Sequence, residues 1–186
     1  MKNILIINQK CGVGKTLAAD SICDALQESD IPFNLYDLDG QGGLSHEPCE
    51  MDGAEISIID TPGALQSDMG DWIQDADLII IPTRPTLSDM PATNRTIEVV
   101  QENNKRGVPV VYVVNGMNRF RATEEFMEYF MSEHENDMVY GIPQSEAFIQ
   151  AKLAGVSIQK YNSKCPPAIA MKKFTDKILE LCGIAS

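Results

Sequence analysis

The stretch that decides the fold is Asn8-Gln9-Lys10-Cys11-Gly12-Val13-Gly14-Lys15-Thr16. An apolar run at residues 4–7 precedes it, and a helix-like segment at residues 17–27 follows it. A strand, a glycine-bearing loop and a helix in this order bind a nucleotide phosphate, because the loop N–H groups and the helix N-terminus attract the anion. The stretch therefore predicts a phosphate-binding loop.

Four residues of this loop have predicted roles in binding a nucleotide. Gly12 and Gly14 let the backbone approach the phosphates without an intervening Cβ. Lys15 is the expected phosphate lysine, and Thr16 is the expected Mg²⁺ ligand. The standard pattern G-x-x-x-x-G-K-[ST] has a glycine where this chain has Gln9, so the loop departs from that pattern.

Strand-like and helix-like patterns alternate along the rest of the chain. Apolar, β-branched runs predict strands at residues 3–8, 33–37, 56–60, 78–82 and 108–115. Periodic patterns predict helices at residues 15–29, 66–75, 89–106, 122–134, 146–153 and 167–182. This alternation predicts an α/β fold with a doubly wound, mostly parallel sheet and helices on both faces. Ligands of such folds bind at the carboxyl ends of the strands.

Two further strands end in acidic residues. The first is followed by Asp37-Leu38-Asp39-Gly40-Gln41-Gly42, which on its own is also good turn chemistry. The second is Ile56-Ser57-Ile58-Ile59-Asp60-Thr61-Pro62-Gly63, an apolar strand whose terminal Asp60 is placed as the carboxylate that holds a Mg²⁺-bound water. Gly63 is positioned to sense the γ-phosphate, and residues 64–72 are the predicted switch segment. A plain Pro-Gly turn is the alternative there.

Composition limits the class of protein. The 186 residues, 44% of them hydrophobic, suit one α/β domain spanning residues 1–186. The five cysteines are scattered and form no C-x-x-C, which argues against a disulfide framework or a zinc ribbon. Neither a signal peptide nor an apolar run of ~20 residues is recognised, so we expect a cytoplasmic protein.

The charge of the chain is acidic overall and uneven. A net charge of −12 disfavours nucleic acid except at a local basic patch. Residues 123–137 contain acids and no lysine or arginine. The lysines cluster instead at the C-terminal end, as Lys152, Lys160, Lys164, Lys172, Lys173 and Lys177. The histidines, His46 and His134, lack metal-ligand spacing and are interpreted as surface residues.

These motifs together resemble the ParA/MinD family of P-loop ATPases. Lys10-Cys11-Gly12-Val13-Gly14-Lys15-Thr16 is similar to that family's deviant Walker A motif, K-G-G-x-G-K-T, with Cys11 in place of a glycine. The segment after Asp37 resembles the family's D-x-D-P-Q-G, with Gly40 in place of proline. The resemblance covers nearly the whole chain and implies the P-loop NTPase fold with ATP and Mg²⁺ as ligands.

The resemblance also implies residue roles. Asp39 would help to organise the Mg²⁺ shell and the attacking water, with Asp37 in support. Asn115 and Pro143 correspond to positions along the adenine, although Asn115 is equally well explained as a turn residue. No N-K-x-D guanine motif follows the strand, which favours ATP over GTP. The nucleotide-binding set implied is Cys11, Gly12, Val13, Gly14, Lys15, Thr16, Leu17, Asn115 and Pro143, with Thr16, Asp39 and Asp60 at the metal.

Lys10 implies a dimer. In the family, this lysine reaches across a nucleotide-sandwich homodimer to the phosphates of the partner, so Lys10, Lys15, Asp39 and Asp60 form the expected catalytic set. A solvated lysine is the alternative for Lys10. The implied function is segregation or positioning of plasmid DNA or another cargo, with nucleoid DNA bound through the C-terminal lysines and hydrolysis stimulated by a ParB-type activator.

Three alternatives remain open at this stage. One is a MinD-like ATPase that acts at a membrane surface through the amphipathic C-terminal segment, which more often simply packs on a core. Another is an accessory ATPase of DNA transfer. The third is a metabolic ligase or synthetase of the same fold.

Overall fold

The computed structural model describes residues 1–39, 43–63 and 68–184. Its strands form one sheet, in which every pairing between neighbouring strands is parallel. The strands are β1 (Lys2–Ile6), β2 (Phe33–Asp37), β3 (Ile56–Asp60), β4 (Leu78–Thr83), β5 (Val110–Met117) and β6 (Met138–Pro143). Their order across the sheet is β2-β3-β1-β4-β5-β6. The predicted α/β fold with a parallel sheet is confirmed.

Helices cover both faces of this sheet. Their bounds are α1 (Lys15–Glu28), α2 (Met69–Asp75), α3 (Met90–Asn103), α4 (Arg121–Glu133), α5 (Ala147–Leu153), α6 (Ile158–Asn162) and α7 (Pro166–Leu181). Helices α1, α5, α6 and α7 pack on one face, and helices α2, α3 and α4 pack on the other. No helix in the described part of the chain is long and apolar enough to cross a bilayer.

The alternation of side chains along β1 shows why the fold has two cores. Ile4 and Ile6 face α1 and α7, whereas Leu5 and Ile7 face α2 and α3. All four are at most 2% exposed. Because successive side chains of a strand point to opposite faces, an unbroken apolar run can only be buried with helices on both sides. This places the residues just after Ile7 at the carboxyl edge of the sheet.

The structure differs from the predicted elements in three places. The strand β6 was not predicted, because Gly141 and Pro143 are unusual in a strand. Both are tolerated here because β6 lies at the edge of the sheet. The short helix α6 is also additional, and Ser157 caps it by accepting a hydrogen bond from the Lys160 N–H. The strand β5 extends past Asn115, with an irregularity in its pairing before Met117.

The prediction that the two histidines are surface residues is wrong. The His46 side chain is only 14% exposed, with Nδ1 3.0 Å from Asp20 Oδ1 and Nε2 3.4 Å from Asp24 Oδ1. The backbone N–H groups of Ser45 and His46 also donate to the Asp20 carboxylate. These contacts tie the segment after β2 to α1. The His134 ring packs against the rings of Tyr112 and Phe130.

Replacing His46 is expected to weaken the fold in a pH-dependent way. The hydrogen bond to Asp20, and then that to Asp24, raise the His46 pKa from 6.5 to about 9. Stability from this ion pair is therefore complete below pH 6.5 and is lost as the pH rises through about 9. We expect His46→Gln to lower the free energy of unfolding by about 1 kcal/mol at pH 6.5 and by much less at pH 9.5. Urea unfolding of both proteins at the two pH values measures this, and an equal loss at both would contradict the ion pair.

Candidate functional site

The parallel register brings the ends of three strands to one level. Asp60, the last residue of β3, is aligned with Ile6 of β1 on one side and with Asp37 of β2 on the other. The loop of residues 8–14 leaves β1 at this level and leads into α1. The glycine-bearing loop and the two acidic strand ends therefore share one site at the carboxyl edge of the sheet, where α/β folds bind their ligands.

The loop backbone depends on two glycines. Gly12 and Gly14 have φ values of 74° and 104°, in the left-handed region that favours glycine. A Cβ on Gly14 would also collide with the Asn115 side chain. Asn115 Nδ2 donates to the carbonyl oxygen of Val13 at 3.3 Å, so this side chain supports the loop. The Val13 side chain is fully buried, which leaves its backbone to face a ligand.

The N-terminus of α1 is suited to an anion. Gly14 precedes the helix without a side-chain cap, and the first turn contains no acidic residue. The N–H groups of the first turn are thus unpaired within the helix, and the helix dipole places partial positive charge beside them. Leu17, one residue beyond Thr16, is partly buried and lines an open cleft of about 630 Å³ along α1.

Lys15 lies inside the loop. Its Nζ donates to the Lys10 carbonyl oxygen at 3.2 Å, and the residue is only 6% exposed. Burial lowers the Lys15 pKa, while the nearby charges of Asp60 and Asp39 act in the opposite direction. A buried ammonium held by one carbonyl oxygen gains a stronger partner when a phosphate enters the loop.

Asp60 and Thr16 form the acidic side of the site. The Thr16 hydroxyl donates to Asp60 Oδ2 at 2.9 Å. Asp60 is 1% exposed, and its other oxygen, Oδ1, has no hydrogen-bond partner among the described residues. Burial raises the Asp60 pKa to about 6, against the effects of Thr16 and Lys15. A buried carboxylate oxygen without a donor, next to a threonine hydroxyl, fits the oxygen ligands that Mg²⁺ requires.

The two aspartates that follow β2 lie close to this pair. Asp37 Oδ1 accepts a hydrogen bond from the Asp39 N–H at 2.9 Å, which turns the chain at the strand end. The charges of Asp37 and Asp39 both raise the Asp60 pKa, as expected for carboxylates that face one cavity. The rest of the predicted segment, Gly40 to Gly42, lies outside the described residues, as do residues 64–67 of the predicted switch.

Cys11 contacts Gly63, the residue just before the predicted switch segment. Its Sγ donates to the Gly63 carbonyl oxygen at 3.7 Å. A Cβ on Gly63 would lie 2.5 Å from Cys11 Sγ and 2.8 Å from the Cys11 backbone nitrogen, so glycine is needed at position 63. Cys11 itself does not have a positive φ, and a side chain therefore fits where the deviant Walker A motif has glycine.

Lys10 points away from the centre of the loop. Its Nζ lies 3.7 Å from Oδ1 of Asp89, the residue just before α3, and its side chain is 44% exposed. The lysine is thus neither inside its own loop nor free in solvent. It lies at the rim of the site, on the α3 side.

Buried polar residues that the sequence analysis did not select hold the start of the loop. Asn8 is fully buried; its Nδ2 donates to the Pro82 carbonyl oxygen and to Thr93 Oγ1, and its Oδ1 accepts from the Lys10 N–H. The Gln9 N–H donates to Thr96 Oγ1 at 3.0 Å. The signal that could have found them is the spacing of the two threonines, which lie three positions apart on one face of α3.

The positions predicted along the adenine lie together. Asn115 of β5 is aligned with Ile142 of β6, and Pro143 follows at the same strand end. The Gln144 N–H donates to the Met117 carbonyl oxygen at 2.7 Å, which fixes the chain after Pro143 next to β5. These residues form one side of the edge at which the loop lies.

The C-terminal lysines are not equally available. Lys152 Nζ donates to the Gly43 carbonyl oxygen, Lys172 pairs with Asp176, and Lys177 pairs with Glu180. Within the described residues, the exposed side chains of this cluster without an ion pair or hydrogen bond are Lys160, Lys164 and Lys173. These three lysines therefore offer their charge to an external partner.

Comparison with known proteins supports this arrangement. The family model described as "CobQ/CobB/MinD/ParA nucleotide binding domain" matches residues 4–158. That range contains the loop, both acidic strand ends and the positions at Asn115 and Pro143. It therefore includes every residue selected as part of the nucleotide site.

Solved structures share the fold at low sequence identity. An ATP complex of a McdA variant from Cyanothece is 16% identical with a TM-score of 0.78, covering 100% of this chain and 98% of that one. MinD, the cell division ATPase of Pyrococcus furiosus, is 19% identical with a TM-score of 0.73, at coverages of 97% and 99%. Cobyrinic acid a,c-diamide synthase from Mycobacterium smegmatis, with a bound ATP analogue and magnesium, is 19% identical with a TM-score of 0.72, at coverages of 98% and 96%.

Neutralising Asp60 is expected to stabilise the ligand-free protein. Because the folded-state pKa of about 6 lies above the ordinary value of 3.8, the buried charge costs stability as the pH rises through this range. Asp60→Asn keeps an acceptor for the Thr16 hydroxyl and should raise the free energy of unfolding by about 2 kcal/mol at pH 7.5, and by little at pH 4.5.

Urea denaturation without nucleotide measures this difference, with Asp52→Asn, a change at an exposed turn residue, as the control. A destabilised Asp60→Asn protein at pH 7.5 would show that the carboxylate is stabilised by contacts that Asn cannot make.

Proposed function

We propose that this chain, which belongs to the CobQ/CobB/MinD/ParA family of nucleotide-binding domains, is a ParA-type ATPase that dimerises on binding ATP and positions a DNA cargo. The observation that carries the proposal is the contact between Thr16 and the buried Asp60 beside the glycine-bearing loop. This contact combines a phosphate cradle with a carboxylate oxygen that lacks a donor among the described residues, as a Mg²⁺-nucleotide site requires.

The residues divide the work of hydrolysis. The loop N–H groups and Lys15 would hold the phosphates, and Thr16 and Asp60 would hold the metal. Mg²⁺, when bound, neutralises charge on the β- and γ-phosphates. The charge of Asp39 raises the pKa of both Lys15 and Asp60, so Asp39 lies near the site. In this proposal, Asp39 orients the attacking water. Asn115 and Pro143 lie along the base.

ATP rather than GTP is the proposed nucleotide. Asn115 uses its amide to support the Val13 carbonyl oxygen, and it is followed by Gly116-Met117-Asn118. Guanine-reading sites of P-loop proteins carry a lysine and an aspartate in these positions, and this chain has neither. A base contacted mainly by backbone and apolar groups at Pro143 suits adenine.

Lys10 supports the dimeric state. Its ammonium lies at the rim of the loop, beside Asp89, whereas the Lys15 ammonium occupies the inside of the loop. A second protomer facing this rim would place its phosphates within reach of Lys10. A cation supplied in this way stabilises the charge that develops during phosphoryl transfer. Hydrolysis then removes the γ-phosphate that joins the protomers.

DNA is the proposed matrix on which the dimer acts, and a cargo-bound protein of ParB type is the proposed activator. Three exposed lysines after residue 151 lack a partner in the described structure, and a dimer doubles them. Three such charges per protomer give weak, sequence-independent binding that depends on salt. A membrane is a poorer match, because α7 packs its apolar side chains Met171, Phe174 and Ile178 into the core.

Removing the rim lysine is expected to separate ATP binding from dimerisation. Lys10→Gln should bind ATP with an affinity within about threefold of the wild type, yet remain monomeric and lose at least about tenfold in ATP turnover. Sedimentation velocity with ADP and with a non-hydrolysable ATP analogue measures the assembly. Lys105→Gln, at an exposed position beyond the C-terminal end of α3, is the matched control and should behave as wild type. A Lys10→Gln dimer would contradict the proposed role.

The DNA proposal is tested with duplexes of unrelated sequence. We expect ATP-dependent binding at low salt, and a loss of at least about tenfold in affinity for a K160Q/K164Q/K173Q variant. The matched control is K172Q/K177Q, which removes lysines already paired with Asp176 and Glu180. Equal losses for both variants would contradict the assigned patch. ATP turnover that responds to a small metabolite and not to DNA would favour a synthetase instead.

A further inference from the structure

The contact between Lys10 and Asp89 joins an exposed ammonium to a buried carboxylate. Asp89 is 6% exposed and lies where α3 begins. Its backbone carbonyl oxygen accepts from the N–H and the hydroxyl of Thr93, and the Thr93 hydroxyl contacts Thr83 at 2.8 Å and Asn8 at 3.2 Å. These buried contacts hold Asp89 in place relative to the start of the loop.

The backbone of Lys10 is held by the same asparagine. Asn8 Oδ1 accepts from the Lys10 N–H at 2.9 Å, and the Lys10 carbonyl oxygen accepts from Lys15 Nζ. The side chain of Lys10, in contrast, is 44% exposed, and its ammonium makes no hydrogen bond among the described residues. The ammonium can therefore leave Asp89 without any change in the loop or in α3.

Departure of the Lys10 ammonium would make the charged form of Asp89 less stable. The Asp89 side chain is 9% exposed. Among the described residues, its Oδ1 lies 3.7 Å from Lys10 Nζ and 3.5 Å from Ser88 Oγ. If Lys10 moves to the phosphates of a second protomer, the carboxylate loses its cation while it stays buried. Removing the cation is unfavourable, because the carboxylate left behind is buried and keeps only the contact with the Ser88 hydroxyl among the described residues.

We infer that Asp89 is a resting-state counter-ion that retains Lys10 against α3 and thereby opposes ATP-driven dimerisation. The inference rests on the proposed function, since it assigns a regulator to the dimerising lysine. Each protomer contributes one Lys10–Asp89 pair, so two pairs must open for each dimer. The free energy of opening one pair therefore counts twice in the dimer dissociation constant.

Neutralising Asp89 is expected to tighten the dimer. Asp89→Asn keeps the size of the side chain and removes its charge. With a non-hydrolysable ATP analogue, its dimer dissociation constant should fall by about tenfold, with the ADP form still monomeric. Asp89→Ser, which retains a residue suited to precede a helix, should act in the same direction and guards against a folding defect of the first variant.

The matched control is Asp176→Asn, which removes a carboxylate paired with Lys172 on the exposed side of α7, away from the loop. Sedimentation equilibrium gives the dissociation constants, and thermal unfolding checks that each variant is folded. In a Lys10→Gln background, Asp89→Asn should have no effect on assembly, because the lysine that it releases is absent.

The outcomes separate the two proposals. A wild-type chain that dimerises with the ATP analogue, together with unchanged or weakened dimers for both Asp89 variants, overturns the inference and leaves the proposed function standing. A wild-type chain that stays monomeric contradicts both. Tighter dimers for Asp89→Asn and Asp89→Ser, with Asp176→Asn unchanged, support the inference.

Discussion

The hydrogen bond from the Thr16 hydroxyl to Asp60 is the contact on which the site depends. It joins the first turn of α1, into which the phosphate loop leads, to the end of β3, the strand that lies next to β1. Asp60 Oδ1 stays buried and without a donor among the described residues, a state that ordinary protein interiors avoid. A carboxylate held in this state costs stability in the ligand-free chain, and a divalent cation would remove that cost. Stability and ligand binding are therefore opposed at Asp60.

The contact is possible only because the sheet is parallel and buried on both faces. Register places Asp60 beside the end of β1, and the apolar alternation of residues 4–7 fixes which side chains face which helical layer. This much was predictable from the sequence, because apolar runs ending in Asp or in a glycine-bearing loop are local signals. Both glycines of the loop, which were selected for close approach of the backbone to a phosphate, have a positive φ in the structure.

Other features needed the tertiary structure. The strand β6 could not be predicted, because a strand at a sheet edge tolerates Gly141 and Pro143, and nothing local distinguishes that from a loop. His46 lies among polar residues in the sequence, and its contacts with Asp20 and Asp24 form only in the folded chain. The same is true of Asp89, which lies far from Lys10 along the chain and meets it only through the packing of α3 against the sheet. Long-range pairs of this kind leave no mark on local composition or periodicity.

We propose that the loop, Thr16 and Asp60 form one site for a Mg²⁺-nucleotide. The most direct test is calorimetric titration of the purified chain with a non-hydrolysable ATP analogue, with Mg²⁺ and with EDTA, beside the corresponding GTP analogue. We predict one nucleotide bound per chain, an affinity that falls by at least about tenfold when Mg²⁺ is removed, and weaker binding of the GTP analogue. Absence of binding with Mg²⁺ present, or equal binding with EDTA, would contradict it.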